Sequence, residues 1–214
     1  MSCDPAGLVD LDRYPLLSPD SPRLQEVIAA AQAQLKSRGA AELTAFLSQL
    51  GLAAAVADAN ALGAIAYRGE GYGTVYLEPG SGELPEDHPR RWVGRAAVSV
   101  VAYDQFPPAS PLRRLYEWQP LMQFIGDILE RGPLYRYADP LGALNLAVMG
   151  DGDELQWHFD QTDFVVSLAL QDGERGGDFE VVPFLRTADD ENYDEVKRVV
   201  SGTSDAVVTL PMTP

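Results

Sequence analysis

The fold of this chain is decided by the stretch Asp151-Gly-Asp-Glu-Leu-Gln-Trp-His-Phe-Asp160, in which a glycine turn leads into an alternating run. In an extended strand, the side chains of residues i and i+2 point to the same face. His158 and Asp160 should therefore present an imidazole and a carboxylate side by side. Such a pair, joined by a distant histidine, forms the 2-His-1-carboxylate triad that binds iron(II) on one face. His158 and Asp160 are thus our candidate catalytic residues and metal ligands.

A His-x-Asp tripeptide alone is a weak signal, because such tripeptides often arise by chance. Its surroundings strengthen it, since a strand predicted over 143–149 precedes the glycine turn and an alternating strand predicted over 164–170 follows it. Shorter strands separated by glycine are predicted over 134–137, 179–182 and 206–210. Several short strands at this spacing are typical of a sandwich or jelly roll.

The N-terminal half is predicted to be mainly helical. Ser21-Pro22 and Ser110-Pro111 each combine an N-cap residue with proline at the first helical position, and Pro120 should interrupt the second helix. Helices are also predicted over 48–61 and 192–200, from helix-forming composition. The remaining predictions are strands over 74–77 and 97–103, and a loop marked by Gly69, Gly71 and Gly73.

The chain resembles the iron(II)/2-oxoglutarate-dependent dioxygenase superfamily and, within it, the bacterial group of free-amino-acid radical halogenases and their hydroxylase relatives. The resemblance covers nearly the whole chain. It rests on the segments Leu11-Asp-Arg-Tyr-Pro15, Leu84-Pro-Glu-Asp-His-Pro-Arg-Arg91, Leu115-Tyr-Glu-Trp118, Trp157-His-Phe-Asp160, Gly176-Gly-Asp-Phe-Glu180 and Asp190-Glu-Asn-Tyr-Asp194. It implies an α+β fold in which N-terminal helices pack outside a double-stranded β-helix.

The resemblance also implies iron(II), 2-oxoglutarate and dioxygen, with oxidative decarboxylation of 2-oxoglutarate driving the oxidation of a small polar substrate, expected to be a free amino acid. Family members that halogenate replace the carboxylate ligand by a small residue, which frees a metal position for chloride. Because Asp160 keeps the carboxylate, we expect a hydroxylase and disfavour a halogenase.

One departure from the family pattern bears on this expectation. In the family, the second histidine of the triad and the arginine that usually pairs with 2-oxoglutarate lie in strands downstream of the position that Pro214 has here, so the resemblance implies that both fall outside this sequence. We expect one domain, with a helical part over 1–133 and an incomplete double-stranded β-helix over 134–214 that lacks its C-terminal strands. Such a chain should turn over little 2-oxoglutarate. It should also expose the apolar residues Phe164, Val166 and Leu168 at an open edge.

An open edge suggests self-association, or a partner polypeptide that supplies the missing strands. Two further alternatives remain: a non-catalytic fragment or scaffold of the same fold, and a metal-free jelly-roll binding module. His88 is the only other histidine, and a solvated loop residue is its preferred interpretation.

Three residues near the motif are weaker candidates. Asn145 could face the cosubstrate, and a structural amide is the alternative. Gln161 and Asp163 could contact a polar substrate, although residues of these types commonly cap turns.

Composition narrows the partners. The 214 residues carry 32 acidic and 16 basic side chains, a net charge of −16, which repels nucleic acid and anionic membranes. With one cysteine, no disulfide can form within the chain. The acidic N-terminus does not fit a signal peptide, and we expect a cytoplasmic protein.

Overall fold

Residues 4–214 are described by a computed structural model, and they form an α+β fold with antiparallel strands. The α-helices are α1 (Pro22–Arg38), α2 (Gln49–Gly63), α3 (Pro111–Glu117), α4 (Gln119–Ile128) and α5 (Tyr193–Val200). The strands are β1 (Tyr67–Gly73), β2 (Gly94–Ala102), β3 (Asn145–Val148), β4 (Glu154–Leu155), β5 (Phe179–Val181) and β6 (Val208–Leu210). Short 3-10 turns occupy Pro5–Leu8, Pro89–Arg91 and Tyr103–Gln105.

The predicted helix starts are confirmed. The Ser21 hydroxyl accepts a hydrogen bond from the Leu24 N–H at 3.3 Å, and the Ser110 hydroxyl accepts one from the Arg113 N–H at 3.1 Å. These bonds satisfy backbone donors that the first helical turn leaves free. The helix is interrupted between α3 and α4, just before Pro120, because proline has no N–H to donate to the preceding turn.

Strand β2 is the centre of the larger sheet. It pairs with β1 on one edge, from Tyr67 opposite Val100 to Gly73 opposite Gly94. On its other edge lie β3, at residues 99–102, and then β4, at residues 96–97. The segment 149–153 loops out between β3 and β4, so both strands follow the same edge of β2. Strands β5 and β6 form a separate antiparallel pair.

Two apolar clusters hold the helices, and the second of them joins helices to the larger sheet. In the first, α1 and α4 bury Ile28, Phe124 and their neighbours against the N-terminal segment. In the second, α2 packs Ala55, Ala59 and Leu62 against Val101 of β2, together with Phe106 and Leu112. Helix α2 therefore packs on the larger sheet, against β2 and β3. None of the helices within residues 4–214 is long and apolar enough to cross a lipid bilayer.

The glycine-rich region differs from its prediction. Gly69, Gly71 and Gly73 lie within strand β1 and not in a loop. The strand predicted over 74–77 is instead a turn, in which the Thr74 N–H donates to the Glu78 carbonyl at 2.9 Å and Leu77 has a φ of 59°. The loop prediction was wrong because a glycine inside a strand often marks a place where another group packs closely on the backbone. A single sequence does not show such packing partners.

The strand predictions in the second half are partly wrong. Strands form within 143–149, 179–182 and 206–210, but 134–137 and 164–170 pair with no strand among the described residues. The alternation of apolar and polar residues gives a segment one apolar face. A strand also requires a neighbouring strand that pairs with its backbone N–H and C=O groups. Phe164 and Leu168 are 40% and 38% exposed, as we expected for these apolar residues. The strand pairings do not confirm a jelly roll.

The two serine caps provide a test of this fold. Ser110 is 3% exposed, and its hydroxyl also donates to Asp58 Oδ2 at 2.6 Å. Ser110→Ala should lower the free energy of unfolding by about 2–3 kcal/mol, because it removes both the cap and a partner of a carboxylate. Ser21→Ala, the control, removes a cap alone and should cost about 1 kcal/mol. Urea denaturation measures both, and equal losses would contradict the role of Asp58.

Candidate functional site

The chain approaches the His-x-Asp motif across a glycine pair. Gly73 and Gly94 lie opposite each other at the end of the β1–β2 ladder, and the Gln156 side chain lies over them. A Cβ on Gly94 would stand 2.4 Å from Gln156 Oε1, and a Cβ on Gly73 would stand 3.3 Å from Gln156 Nε2. The space for Gln156 therefore requires glycine at position 94, and Gln156 is held two residues before His158.

Phe159 anchors the motif from the opposite face. Its N–H donates to the Val75 carbonyl at 2.8 Å. Its ring packs against Tyr76, with centroids 5.3 Å apart, and the Arg186 guanidinium lies 3.8 Å from its centroid. Arrangements of this cation–π kind contribute on the order of 0.5–2 kcal/mol. Phe159 thus fixes the segment between the two candidate ligands.

The structure brings His158 and Asp160 together. His158 Nε2 lies 3.3 Å from Asp160 Oδ1. The two side chains are 34% and 52% exposed, so both can be reached from solvent. The segment 156–160 pairs with no strand within residues 4–214, yet the predicted side-by-side placement of the two side chains holds.

The two ring nitrogens of His158 have different partners. Nδ1 lies 2.8 Å from the Gln156 carbonyl oxygen, and Nε2 lies 3.3 Å from a carboxylate oxygen of Asp160. Both oxygens can only accept, so the shorter contact favours the hydrogen on Nδ1. In the neutral ring Nε2 then has a lone pair, and it faces an oxygen of Asp160. Two acceptors in contact repel each other, and a proton or a metal cation between them removes the repulsion.

The distance between His158 Nε2 and Asp160 Oδ1 suits two ligand atoms in adjacent positions around one metal ion. Ligand atoms bound at right angles, each about 2.1 Å from an octahedral metal, are about 3.0 Å apart. The observed 3.3 Å is close to that value. A ligand histidine usually donates its other N–H to a carbonyl or carboxylate, which fixes the ring, and Gln156 provides this partner. The pair therefore fits two adjacent positions of a metal ion.

Within residues 4–214, no group of three or more histidine, cysteine, aspartate or glutamate side chains could hold a metal ion. His88 has partners other than the His158–Asp160 pair: its Nδ1 accepts a hydrogen bond from the Arg90 N–H at 3.2 Å, and its ring packs 4.6 Å from that of Tyr193. These contacts give His88 a structural role at the start of the 3-10 turn Pro89–Arg91.

The weaker candidates are placed as follows. Asn145 pairs with Ala102, at the end of β2 remote from Gly94; eight strand residues span roughly 26 Å, so the sheet does not bring Asn145 to His158. Gln161 and Asp163 are exposed in the bend after Asp160, and Asp163 lies 4.0 Å from Arg131. No substrate contact can be assigned to these three residues, which remain predictions.

A cluster around Tyr76 supports the site and was missed by the sequence analysis. The Arg90 guanidinium lies 4.1 Å from the Tyr76 ring centroid, and Tyr193 packs edge-on at 6.3 Å. Lys197 of α5 pairs with Asp87. The segments 84–91, 157–160 and 190–194, which carry the family resemblance, therefore meet around one tyrosine. That shared resemblance was the only signal in the sequence for this contact.

No protein-family model, curated protein or solved structure matches this chain. The resemblance to the dioxygenase superfamily stays a prediction.

Tyr76 provides a test of the support under Phe159. Burial, with a smaller contribution from the Glu191 charge, raises the pKa of Tyr76 to about 12. The unfolded phenol titrates near about 10, so the folded state holds the proton more tightly. Stability that is complete below pH ~10 should fall as the pH rises toward the folded pKa.

We expect Tyr76→Phe to reduce this alkaline loss. It should change stability at neutral pH by less than about 1 kcal/mol, because the buried Oη has no hydrogen-bond partner among the described residues. Urea denaturation over a pH series measures both effects. Tyr135→Phe is the control, since Tyr135 is 83% exposed, and an alkaline profile unchanged in Tyr76→Phe would contradict the assignment.

Proposed function

We propose that this chain is a non-haem iron(II), 2-oxoglutarate-dependent oxygenase that hydroxylates a small polar substrate, in the first instance a free amino acid. The observation that carries the proposal is the 3.3 Å separation of His158 Nε2 and Asp160 Oδ1, with Nδ1 already bonded to a backbone carbonyl. The double-stranded β-helix belongs to the same proposal.

In this proposal His158 and Asp160 hold one side of the metal. Iron(II), with 2-oxoglutarate and dioxygen, supplies the oxidising power for attack on a carbon–hydrogen bond. The protein's own residues provide position: Gln156 holds the imidazole, and Phe159 holds the backbone between the ligands. A fixed pair of ligands avoids the entropy of ordering two free side chains when the metal binds.

Asp160 sets the type of oxidation. A carboxylate here occupies the metal position that a halide would need, so hydroxylation is favoured over halogenation. Both ligand side chains are partly exposed, which leaves them accessible to a metal and a small substrate. The net charge of −16 opposes nucleic acid or an anionic membrane as the substrate surface.

Iron binding is the first test. Anaerobic iron(II) titration, followed by calorimetry, should show one site in the wild type. His158→Ala should weaken the affinity for iron(II) by at least about 10-fold, because removal of a ligand costs more than removal of a residue that only orients a ligand.

The matched control is His88→Asn, which removes the other imidazole and keeps a side chain suited to capping the turn at Pro89. It should leave the iron affinity unchanged. Equal affinity in the wild type and His158→Ala would refute the assignment, and a loss in His88→Asn alone would transfer the metal to His88.

The product is the second test. The protein is incubated with iron(II), 2-oxoglutarate, dioxygen and chloride against a panel of free amino acids, with mass spectrometry of the products. Any product should contain one added oxygen atom, because Asp160 occupies the halide position. Chlorination as the main outcome would overturn our interpretation of Asp160. Iron binding without succinate formation on any substrate would favour a non-catalytic scaffold.

A further inference from the structure

We propose that Gln156 is a positioning residue for His158. In this proposal, its side chain wedges over the Gly73–Gly94 pair and places its own carbonyl where it fixes the imidazole with Nδ1 protonated and Nε2 free to face Asp160. The inference rests on the proposed function in one respect, which is that a metal uses the Nε2 lone pair. The control of the imidazole itself can be measured without any metal.

The wedge is a close contact. Three atoms of Gln156 are the nearest neighbours that a Cβ on Gly94 would meet, at 2.4, 2.9 and 3.3 Å. Ordinary carbon contacts do not fall below about 3.4 Å. Gln156 therefore fills the volume that a side chain at position 94 would take. Because its backbone continues directly into Trp157 and His158, the wedge sets where the Gln156 carbonyl points.

The amide of Gln156 is poorly satisfied where it lies. Its Nε2 donates to the Thr74 carbonyl at a long 3.5 Å, and its Oε1 is buried with no hydrogen-bond partner among the described residues. An unpaired buried acceptor costs about 1–3 kcal/mol. Shape thus explains the presence of this side chain better than hydrogen bonding does. An apolar side chain of equal length should serve the same purpose.

The two histidines of the chain should have opposite tautomers. His158 Nδ1 is placed to donate to a carbonyl oxygen at 2.8 Å, which is closer than the Asp160 oxygen that faces Nε2 at 3.3 Å, whereas His88 Nδ1 accepts from the Arg90 N–H at 3.2 Å. In their neutral forms, His158 then carries its hydrogen on Nδ1 and His88 carries its hydrogen on Nε2. His88 is therefore an internal reference for His158 in the same spectrum.

The experiment is nitrogen-15 NMR of the full chain, without metal, under conditions in which the spectrum shows both imidazole rings in their neutral form. The wild type should show the Nδ1–H tautomer for His158. Gln156→Ala should convert His158 largely to the Nε2–H form that free imidazole side chains favour. Gly94→Ala should do the same by pushing the wedge away. Gly71→Ala is the matched control, since a Cβ there meets nothing within 4 Å.

A conservative variant separates positioning from general stability. Gln156→Met keeps the length of the wedge and should keep the wild-type tautomer. In the double variant, the effects of Gln156→Ala and Gly94→Ala on the tautomer population of His158 should add to less than the sum of the two single effects, because both substitutions disturb the same contact. Thermal unfolding of every variant identifies any that has lost its fold.

Iron(II) titration supplies the second readout. Gln156→Ala should weaken the affinity for iron(II) by about 10-fold, because the displaced Gln156 carbonyl no longer orients the imidazole. An unchanged His158 tautomer in folded Gln156→Ala and Gly94→Ala would overturn the inference. If the variants show the predicted change of tautomer but the wild type binds no iron(II), the positioning role is supported and the proposed function is refuted.

Discussion

The close approach of Gln156 to the Gly73–Gly94 pair is the contact on which the rest of the site depends. At the end of the β1–β2 ladder, two glycines face each other, and the absence of side chains there leaves a slot for Gln156. The segment that follows has no strand partner within residues 4–214. Its position therefore comes from the slot and from the Phe159 anchor, and not from a sheet ladder.

These two anchors act on opposite sides of His158. Gln156 holds the chain from the larger sheet, and Phe159 holds it through the Val75 carbonyl and the ring of Tyr76. Tyr76 is in turn enclosed by Arg90 and by Tyr193 of α5. The pair of candidate ligands, His158 and Asp160, thus lies on a short segment whose side chains have little freedom, although the pair itself remains partly exposed. Rigid support for accessible ligands is the arrangement that metal sites require.

The charged side chains around the site differ in whether they have ion-pair partners. Arg90 pairs with Glu78, and Arg186 pairs with Glu191, so the guanidinium groups of the tyrosine cluster are neutralised locally. Asp160, by contrast, has only the His158 ring as its ion-pair partner among the contacts of the described residues. The carboxylate that the proposed metal would use is therefore not neutralised by an arginine or lysine among the described residues. A cation at this position would complete the charge balance of the pair.

The sequence by itself determined the helix starts and the neighbouring placement of His158 and Asp160. Ser21 and Ser110 cap their helices with local hydrogen bonds, and the two candidate ligands lie together because they are two residues apart in extended chain. Both features depend on contacts within a few residues, which a sequence pattern records.

Only the tertiary structure decided which elements have partners. It placed Gly73 in a strand, left 164–170 without a strand partner among residues 4–214, and brought Tyr76, Arg90 and Tyr193 together from distant segments. It also assigned Gln156 to the glycine slot and moved Asn145 to the far end of β2. These outcomes depend on the packing of residues that are tens of positions apart, and neither periodicity nor local propensity contains that information.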